Sequence, residues 1–138
     1  MGTFKKEYPS IAETIITECD IYTSNGRKYH TEHAMWDTGA DTTIISSRIA
    51  QYLKLTPYQQ GGISGIGGAS NANIYLVHIL IPTDDIITNV EVMESDFQDY
   101  DVIIGTDIIM FGDLLITNNN EKTTFQFRTP SEGGIELS

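Results

Sequence analysis

Short stretches of apolar residues, most of them alternating with polar ones, recur along the whole chain and are separated by turn-forming residues. A period of two, with enrichment in Ile, Val, Thr and Tyr, is typical of half-buried β-strands. Two brief helices are also predicted, over residues 48–53 and 106–111. We therefore expect an all-β fold with one or two short helices. The predicted strands cover residues 14–22, 29–36, 42–45, 74–81, 86–93, 102–104, 114–117 and 123–127.

Turn-forming residues predict two hairpins and one glycine-rich segment. Asn25-Gly26 lies between the first two strands, and an Asn-Gly pair in that setting is a strong hairpin signal. Residues 118–121 predict a second hairpin between the last two strands. Residues 61–70 are rich in glycine and lead into the strand over 74–81. A flexible segment is therefore expected to run into a firm strand.

With 138 residues, of which 40% are hydrophobic, the chain is long enough for one domain. A formal net charge of -11 argues against nucleic acid and anionic membranes as partners, because both would repel the chain. No apolar run approaches the roughly 18 residues of a membrane-spanning helix. The single cysteine, Cys19, cannot form an internal disulfide, and the N-terminus lacks the apolar core of a signal peptide. We expect a cytoplasmic protein or part of a larger precursor.

Asp37 is the candidate catalytic residue. The triplet Asp37-Thr38-Gly39 lies between the predicted strands over 29–36 and 42–45, so the carboxylate is expected at a turn, where it can act in acid–base chemistry. The triplet alone is weak evidence, because it should occur by chance in about one chain in fifteen of this length. Two further motifs follow it, Ile-Ser-Gly-Ile-Gly-Gly at 63–68 and Val-Ile-Ile-Gly-Thr-Asp at 102–107.

In this order and at this spacing, the three motifs resemble those of the retropepsins, the aspartic proteases of retroviral type. The resemblance covers roughly residues 15–127 and is greatest to retrotransposon and cellular or bacterial retropepsin-like domains. It implies a retropepsin-like closed β-barrel with a glycine-rich flap hairpin, acting as a homodimer. We accordingly divide the chain into an N-terminal extension (1–12), an aspartic protease domain (13–128) and a flexible C-terminal tail (129–138).

The resemblance implies an aspartic endopeptidase, which hydrolyses peptide or protein substrates with a water activated by two aspartates. The chain has one Asp-Thr-Gly motif and no internal repeat, so the second aspartate would be Asp37 of an identical chain. Thr38 and Gly39 would support the active site. The residues expected to bind substrate are Ala40, Asp41, Ser64, Gly65, Ile66, Gly67 and Ile104, with Ile44 as a further apolar wall.

Two features depart from the retroviral pattern and leave the mode of dimerisation open. Thr106 stands where many retroviral members carry an Arg that pairs with the acid at the position of Asp41. The chain also continues well beyond Asp107, whereas retroviral enzymes soon end in strands that form the dimer. Alternative readings are a non-catalytic retropepsin-like dimerisation or peptide-binding module, and a small acidic β-barrel with a structural role.

No cofactor and no metal site are predicted. His30 and His33 are three residues apart on a strand and so face opposite sides, and His78 is remote from both. The glycine-rich segment lacks the last glycine of a dinucleotide-binding loop and is not followed by a Gly-Lys-Ser/Thr phosphate-binding motif. Cys19 is predicted to be a core or edge residue and not a nucleophile.

Overall fold

The computed structural model describes residues 2–65 and 68–137, with side chains described outside residues 59–71. It contains ten strands and two short helices in these residues. In chain order the elements are β1 (Gly2–Glu7), β2 (Ile15–Tyr22), β3 (Lys28–Trp36), β4 (Ile44–Ser46), α1 (Ser47–Tyr52), β5 (Gln59–Gly65), β6 (Gly68–Leu80), β7 (Ile86–Ser95), β8 (Val102–Ile104), α2 (Thr106–Ile109), β9 (Asp113–Asn119) and β10 (Lys122–Thr129).

The larger sheet closes on itself and forms the barrel. Its seven strands lie in the order β2-β3-β8-β4-β7-β6-β5, and a further pairing of β2 with β6 joins the ends of the first six. Inward-facing Ile and Val side chains from these strands fill the interior, as the alternating pattern requires. The predicted all-β, closed-barrel fold is thus confirmed. The fully buried residues of the barrel include Ile21, Ile45, Val77, Ile79, Val92, Val102 and Ile104.

The glycine-rich segment lies in an antiparallel hairpin of β5 and β6. The strand register runs from Gln59 opposite Ile74 to Gly65 opposite Gly68. The hairpin therefore occupies the position at which the sequence predicts a flap, and its role as a flap stays a prediction.

A second sheet of three antiparallel strands, in the order β1-β10-β9, packs against the outside of the barrel. Phe125 and Phe127 of β10 are buried against the ring of Trp36, with ring centroids 5.0 Å and 4.9 Å away. Such aromatic contacts contribute about 0.5–1.5 kcal/mol each beyond the burial of area. The segment Gly2–Glu7, assigned to an extension by sequence, forms the outer strand of this sheet. The domain bounds themselves stay a prediction.

Arg48 and Asp101 hold the loop that leads into β8. The Arg48 guanidinium donates from Nε to Asp101 Oδ1 at 2.8 Å and also to the carbonyl oxygens of Phe97 and Tyr100. Asp101 is buried and accepts a hydrogen bond from Thr31. Because Asp101 also accepts from the Ser46 N–H and donates its own N–H to His33, it links three strands at the start of β8.

None of the helices in the described part of the chain is long and apolar enough to cross a membrane.

Asp113 fixes the residues that follow β10. Its carboxylate accepts hydrogen bonds from Ser131 Oγ at 2.6 Å, from the Glu132 N–H at 2.8 Å and from Arg128 Nε at 2.8 Å. The hydrogen bonds from Ser131, Glu132 and Arg128 all favour the charged form and lower the pKa of Asp113 to about 2. The segment over 131–134, predicted as a loose tail, is therefore tied to β9.

Asp113 should make stability dependent on pH at acidic values. Its folded-state pKa lies below its ordinary value, so its contribution is fully present above about pH 4 and is lost as pH falls through about 2. We expect the unfolding midpoint in urea of the wild type to fall more steeply between about pH 4 and pH 2 than that of Asp113→Asn. Asp99→Asn, which alters an exposed loop carboxylate, should follow the wild type. An equally steep fall in Asp113→Asn would contradict the assignment.

Candidate active site

Asp37 lies at a tight turn directly after β3. The Trp36 backbone pairs in parallel with Ile104 of β8, and the Asp37 N–H donates to the Ile104 carbonyl at 2.9 Å. The Gly39 N–H donates to Asp37 Oδ1 at 2.8 Å, and the Ala40 N–H closes the turn on the Asp37 carbonyl at 3.2 Å. Oδ2 of Asp37 has no hydrogen-bond partner among the described residues. The turn thus presents a half-buried carboxylate, one oxygen of which accepts no hydrogen bond from the residues that the structure describes.

Gly105, directly after β8, packs against the backbone of this turn. A Cβ atom on Gly105 would lie 2.7 Å from the Ala40 carbonyl oxygen and 3.0 Å from the Thr42 carbonyl carbon, closer than real Cβ contacts allow. The next residue, Thr106, donates its N–H to the same Ala40 oxygen at 2.8 Å. Only glycine lets the backbone of β8 approach the Asp37 turn this closely. Close packing against the Ala40 carbonyl therefore explains why the Val-Ile-Ile-Gly motif has glycine at position 105.

Thr43 and Asp107 connect the far end of the turn to α2. Thr43 donates from its N–H to Asp107 Oδ2 at 3.0 Å and from its hydroxyl to Asp107 Oδ1 at 2.7 Å. The same hydroxyl accepts the Gly105 N–H at 3.1 Å. Sequence reasoning placed Asp107 only near a helix start and did not single out Thr43. The sequence signal for Thr43 was a threonine next to an apolar run. In the structure Thr43 is fully buried, so its hydroxyl needs hydrogen-bond partners.

Ile44 and Ile103 form an apolar surface beside the turn. The prediction that Ile104 binds substrate is wrong. Ile104 is 0% exposed and belongs to the barrel core. Ile103 is partly exposed and lies directly opposite Ile44, also partly exposed, in the antiparallel pairing of β4 with β8. Side chains opposite each other across a pair share one face of the sheet, so these two can line a cleft together.

The other predicted substrate residues are placed as follows. Ala40 is half-buried in the Asp37 turn, and Asp41 is exposed beside it with no ion-pair partner among the described residues. Ser64 pairs with Ala69 and Gly65 with Gly68 through the hairpin backbone. Ile66 and Gly67 lie outside the described residues. The turn residues are therefore brought together, and the contribution of the hairpin to substrate binding stays a prediction.

An open cavity of about 360 Å³ lies on the Asp41 side of the turn. It is bounded by Asp41 and Thr42, by Asp107 and Phe111 of the α2 region, and by residues of β7. Asp37 is not among the residues that line it.

Three potential metal ligands lie together on the outer face of β2 and β3. Ligand atoms of Glu18, His30 and Glu32 lie within 4.8 Å of one another. His30 Nδ1 is also 2.6 Å from Asp20 Oδ1. All three candidate ligands are exposed, and exposed acidic side chains often cluster without an ion, so no metal is assigned there.

Comparison with solved structures gives the class of fold. The EIAV protease complexed with the inhibitor HBY-793 superposes with a TM-score of 0.54 and 26% identity, over 74% of this chain and 89% of that one. A retropepsin-like aspartic protease from Rickettsia conorii superposes with a TM-score of 0.55 and 15% identity, over 91% and 94%. The simian foamy virus protease superposes with a TM-score of 0.50 and 22% identity, over 67% of this chain and 89% of that one. The chain thus has the retropepsin fold.

The resemblance predicted from the three motifs is therefore confirmed in three dimensions: the chain resembles the retropepsin-like aspartic proteases. No protein-family profile and no curated protein sequence matches it. The fold similarity supports a protease, while the individual roles of the site residues stay predictions.

Proposed function

We propose that this protein is an aspartic endopeptidase that hydrolyses peptide bonds with two Asp37 carboxyl groups, one from each chain of a homodimer. The observation that carries the proposal is the Asp37 turn: a carboxylate with one oxygen unpaired among the described residues, in a turn held by Gly39, Ile104 and Gly105, in a retropepsin fold.

The chemistry calls for a pair of carboxyl groups. One ionised carboxylate takes a proton from the attacking water, while the other, protonated, donates to the carbonyl oxygen of the scissile bond. A single carboxyl group cannot hold both states at once. Because each chain supplies one Asp37 at an exposed turn, two chains related by a two-fold axis would place the pair on that axis.

The neighbouring residues have roles in this scheme that follow from their positions. Thr38 is exposed at the tip of the turn, where its hydroxyl can bond to the turn of the second chain. The Gly39 carbonyl and the backbone of Ala40 and Asp41 would accept and donate hydrogen bonds along an extended substrate. The hairpin of β5 and β6 would close over the substrate and exclude bulk water. No cofactor enters this scheme.

The pH dependence of cleavage tests the proposal. Two carboxyl groups that share one proton titrate as a unit, so the active, singly protonated pair exists over an acidic to near-neutral window. We expect cleavage of an unstructured protein such as casein to follow a bell-shaped pH profile and to vanish in alkali. Activity that keeps rising with pH would contradict the two-carboxyl mechanism.

The second candidate is a retropepsin-like module that dimerises or binds peptides without cleaving them. The modest sequence identity to the proteases of known structure leaves room for this function. Peptide binding with no cleavage at any acidic pH, in a sample shown to be dimeric by sedimentation, would favour the module. Cleavage that depends on Asp37 would favour the enzyme.

A further inference from the structure

The open cavity beside Asp41 and Thr42 is lined by carboxylates and by no basic side chain of the described residues. Its volume is about 360 Å³, and three acidic residues line it: Asp41, Glu91 and Asp107. None of the eight Lys and Arg side chains lines the cavity, and all eight lie in the part of the chain that the structure describes. Several charges of one sign around a cavity produce a negative potential that attracts cations.

The three carboxylates of the cavity have no counterion among the described residues. Those of Asp41 and Glu91 are exposed and form no hydrogen bond or ion pair with a described residue. Both oxygens of Asp107 accept hydrogen bonds from Thr43, which is uncharged. Asp107 is thereby fixed in position without a cation beside it. The cavity is therefore suited to a cation that a ligand brings.

The rest of the cavity wall is largely apolar. Five hydrophobic residues line it: Ile74, Ile87, Val90, Met93 and Phe111. Apolar walls combined with carboxylates fit the side chain of Lys or Arg, because each has an aliphatic stem and a charged head. A bare metal ion would need ligand atoms close together. Among the described residues, the three carboxylates of the cavity do not come within 4.8 Å of one another.

An apolar row connects this cavity to the surface beside the Asp37 turn. Four partly exposed residues stand in register across β8, β4, β7 and β6, in the order Ile103, Ile44, Met93 and Ile74. Residues in register share one face of a sheet, and the last two of the row line the cavity. Neighbouring strands are about 4.8 Å apart, so Ile44 and Ile74 are separated by about 10 Å. An extended peptide covers that distance with about three residues.

We infer that this cavity binds a Lys or Arg side chain of the substrate, about three residues from the scissile bond. Asp41 and Glu91 are the residues that select the positive charge, and the apolar wall holds the aliphatic stem. The inference rests on the proposed function, since it names the class of peptide that the enzyme would cut. The net charge of -11 acts in the same direction, because it attracts basic peptides and repels acidic ones.

Cleavage of matched peptides tests this inference. The peptides are made around a site in casein that the wild type cuts, with Lys or norleucine placed two, three or four residues from the cut on either side. Norleucine keeps the aliphatic stem of Lys and lacks the ammonium group. The assay is run at about pH 6, above the range in which side-chain carboxyl groups ordinarily titrate. We expect kcat/KM to be roughly tenfold higher with Lys than with norleucine at one of these positions, because two carboxylates then attract one ammonium group.

Substitutions in the cavity identify the residues responsible. Glu91→Gln and Asp41→Asn each remove one charge, and each should lower the Lys-to-norleucine ratio of kcat/KM about threefold. The double variant should bring this ratio close to one. Glu13→Gln makes the same chemical change at an exposed residue outside the cavity and should keep the wild-type ratio. Raising the salt from about 0.1 M to about 1 M shortens the screening length from about 10 Å to about 3 Å and should also lower the ratio.

The outcomes separate this inference from the proposed function. Cleavage with equal kcat/KM for Lys and norleucine at every position overturns the cationic subsite and leaves the endopeptidase standing. A Lys preference that is unchanged in the double variant of Asp41 and Glu91 also overturns the subsite, because the selection then comes from outside the cavity. If the wild type cuts no peptide, fluorescence anisotropy measures its binding of labelled casein peptides that carry Lys or norleucine. Binding that is roughly tenfold tighter with Lys, and weakened in the double variant, keeps the subsite while the endopeptidase is overturned.

Discussion

Asp37→Asn should abolish peptide cleavage while leaving the fold intact. Acid–base catalysis by a positioned carboxyl group contributes about 10²–10⁴-fold, and the substitution removes both members of the pair in a homodimer, so we expect a loss of roughly 10⁴-fold or more in kcat/KM. The turn should survive, because Asn also offers an Oδ1 acceptor for the Gly39 N–H. The measurement is hydrolysis of a casein or peptide substrate at the optimal pH, with thermal unfolding measured in parallel.

Two controls make this experiment specific. Asp99→Asn makes the same chemical change at an exposed loop residue and should cleave like the wild type. Adding an equal amount of Asp37→Asn chain to a fixed amount of wild type should lower activity to about one half, because random pairing leaves one dimer in four fully wild type. Undiminished activity in that mixture would mean that each chain works alone. Full cleavage activity of Asp37→Asn alone would contradict the proposed mechanism.

Gly105→Ala should damage both stability and activity. The added methyl group would stand 2.7 Å from the Ala40 carbonyl oxygen and 3.0 Å from the Thr42 backbone, so β8 and the Asp37 turn must move apart. Overpacking of this kind costs about 1–3 kcal/mol, with the upper end expected here because the obstacles are backbone atoms. A shift of about 1 Å at the turn can lower the rate about 100-fold.

Thr106→Ala is the matched control for Gly105→Ala. It changes the next residue, keeps the Thr106 N–H that binds the Ala40 carbonyl, and introduces no clash. Urea unfolding should show a lower free energy of unfolding for Gly105→Ala and a near-wild-type value for Thr106→Ala. Equal stability and equal cleavage in the two variants would show that β8 does not need its close approach to the turn.

The barrel and the Asp37 turn could be predicted from sequence because their signals are local. Alternating apolar residues indicate β3 and β6, Asn25-Gly26 indicates the hairpin between β2 and β3, and the glycine after Val102-Ile103-Ile104 indicates the end of β8. In each case a few neighbouring residues carry the information.

The remaining features depend on contacts between residues far apart in the chain. Strand β1 pairs with β10, more than a hundred residues later, and its own sequence has no strong alternation to indicate a strand. The prediction that Ile104 binds substrate was wrong because β8 is apolar at every position, so no polar residue indicates which side chains face the core. The hydrogen bonds between Thr43 and Asp107 likewise join residues that only the folded barrel brings together.

Trp36 is the only tryptophan of the chain. Its ring contacts both Phe125 and Phe127, and its Nε1–H donates to Thr17 Oγ1 at 2.8 Å. The indole therefore touches the barrel and the outer sheet at once, one residue before the Asp37 carboxylate. Its ultraviolet emission is consequently an intrinsic optical probe of whether the two sheets remain docked, and no dye needs to be attached to follow that step.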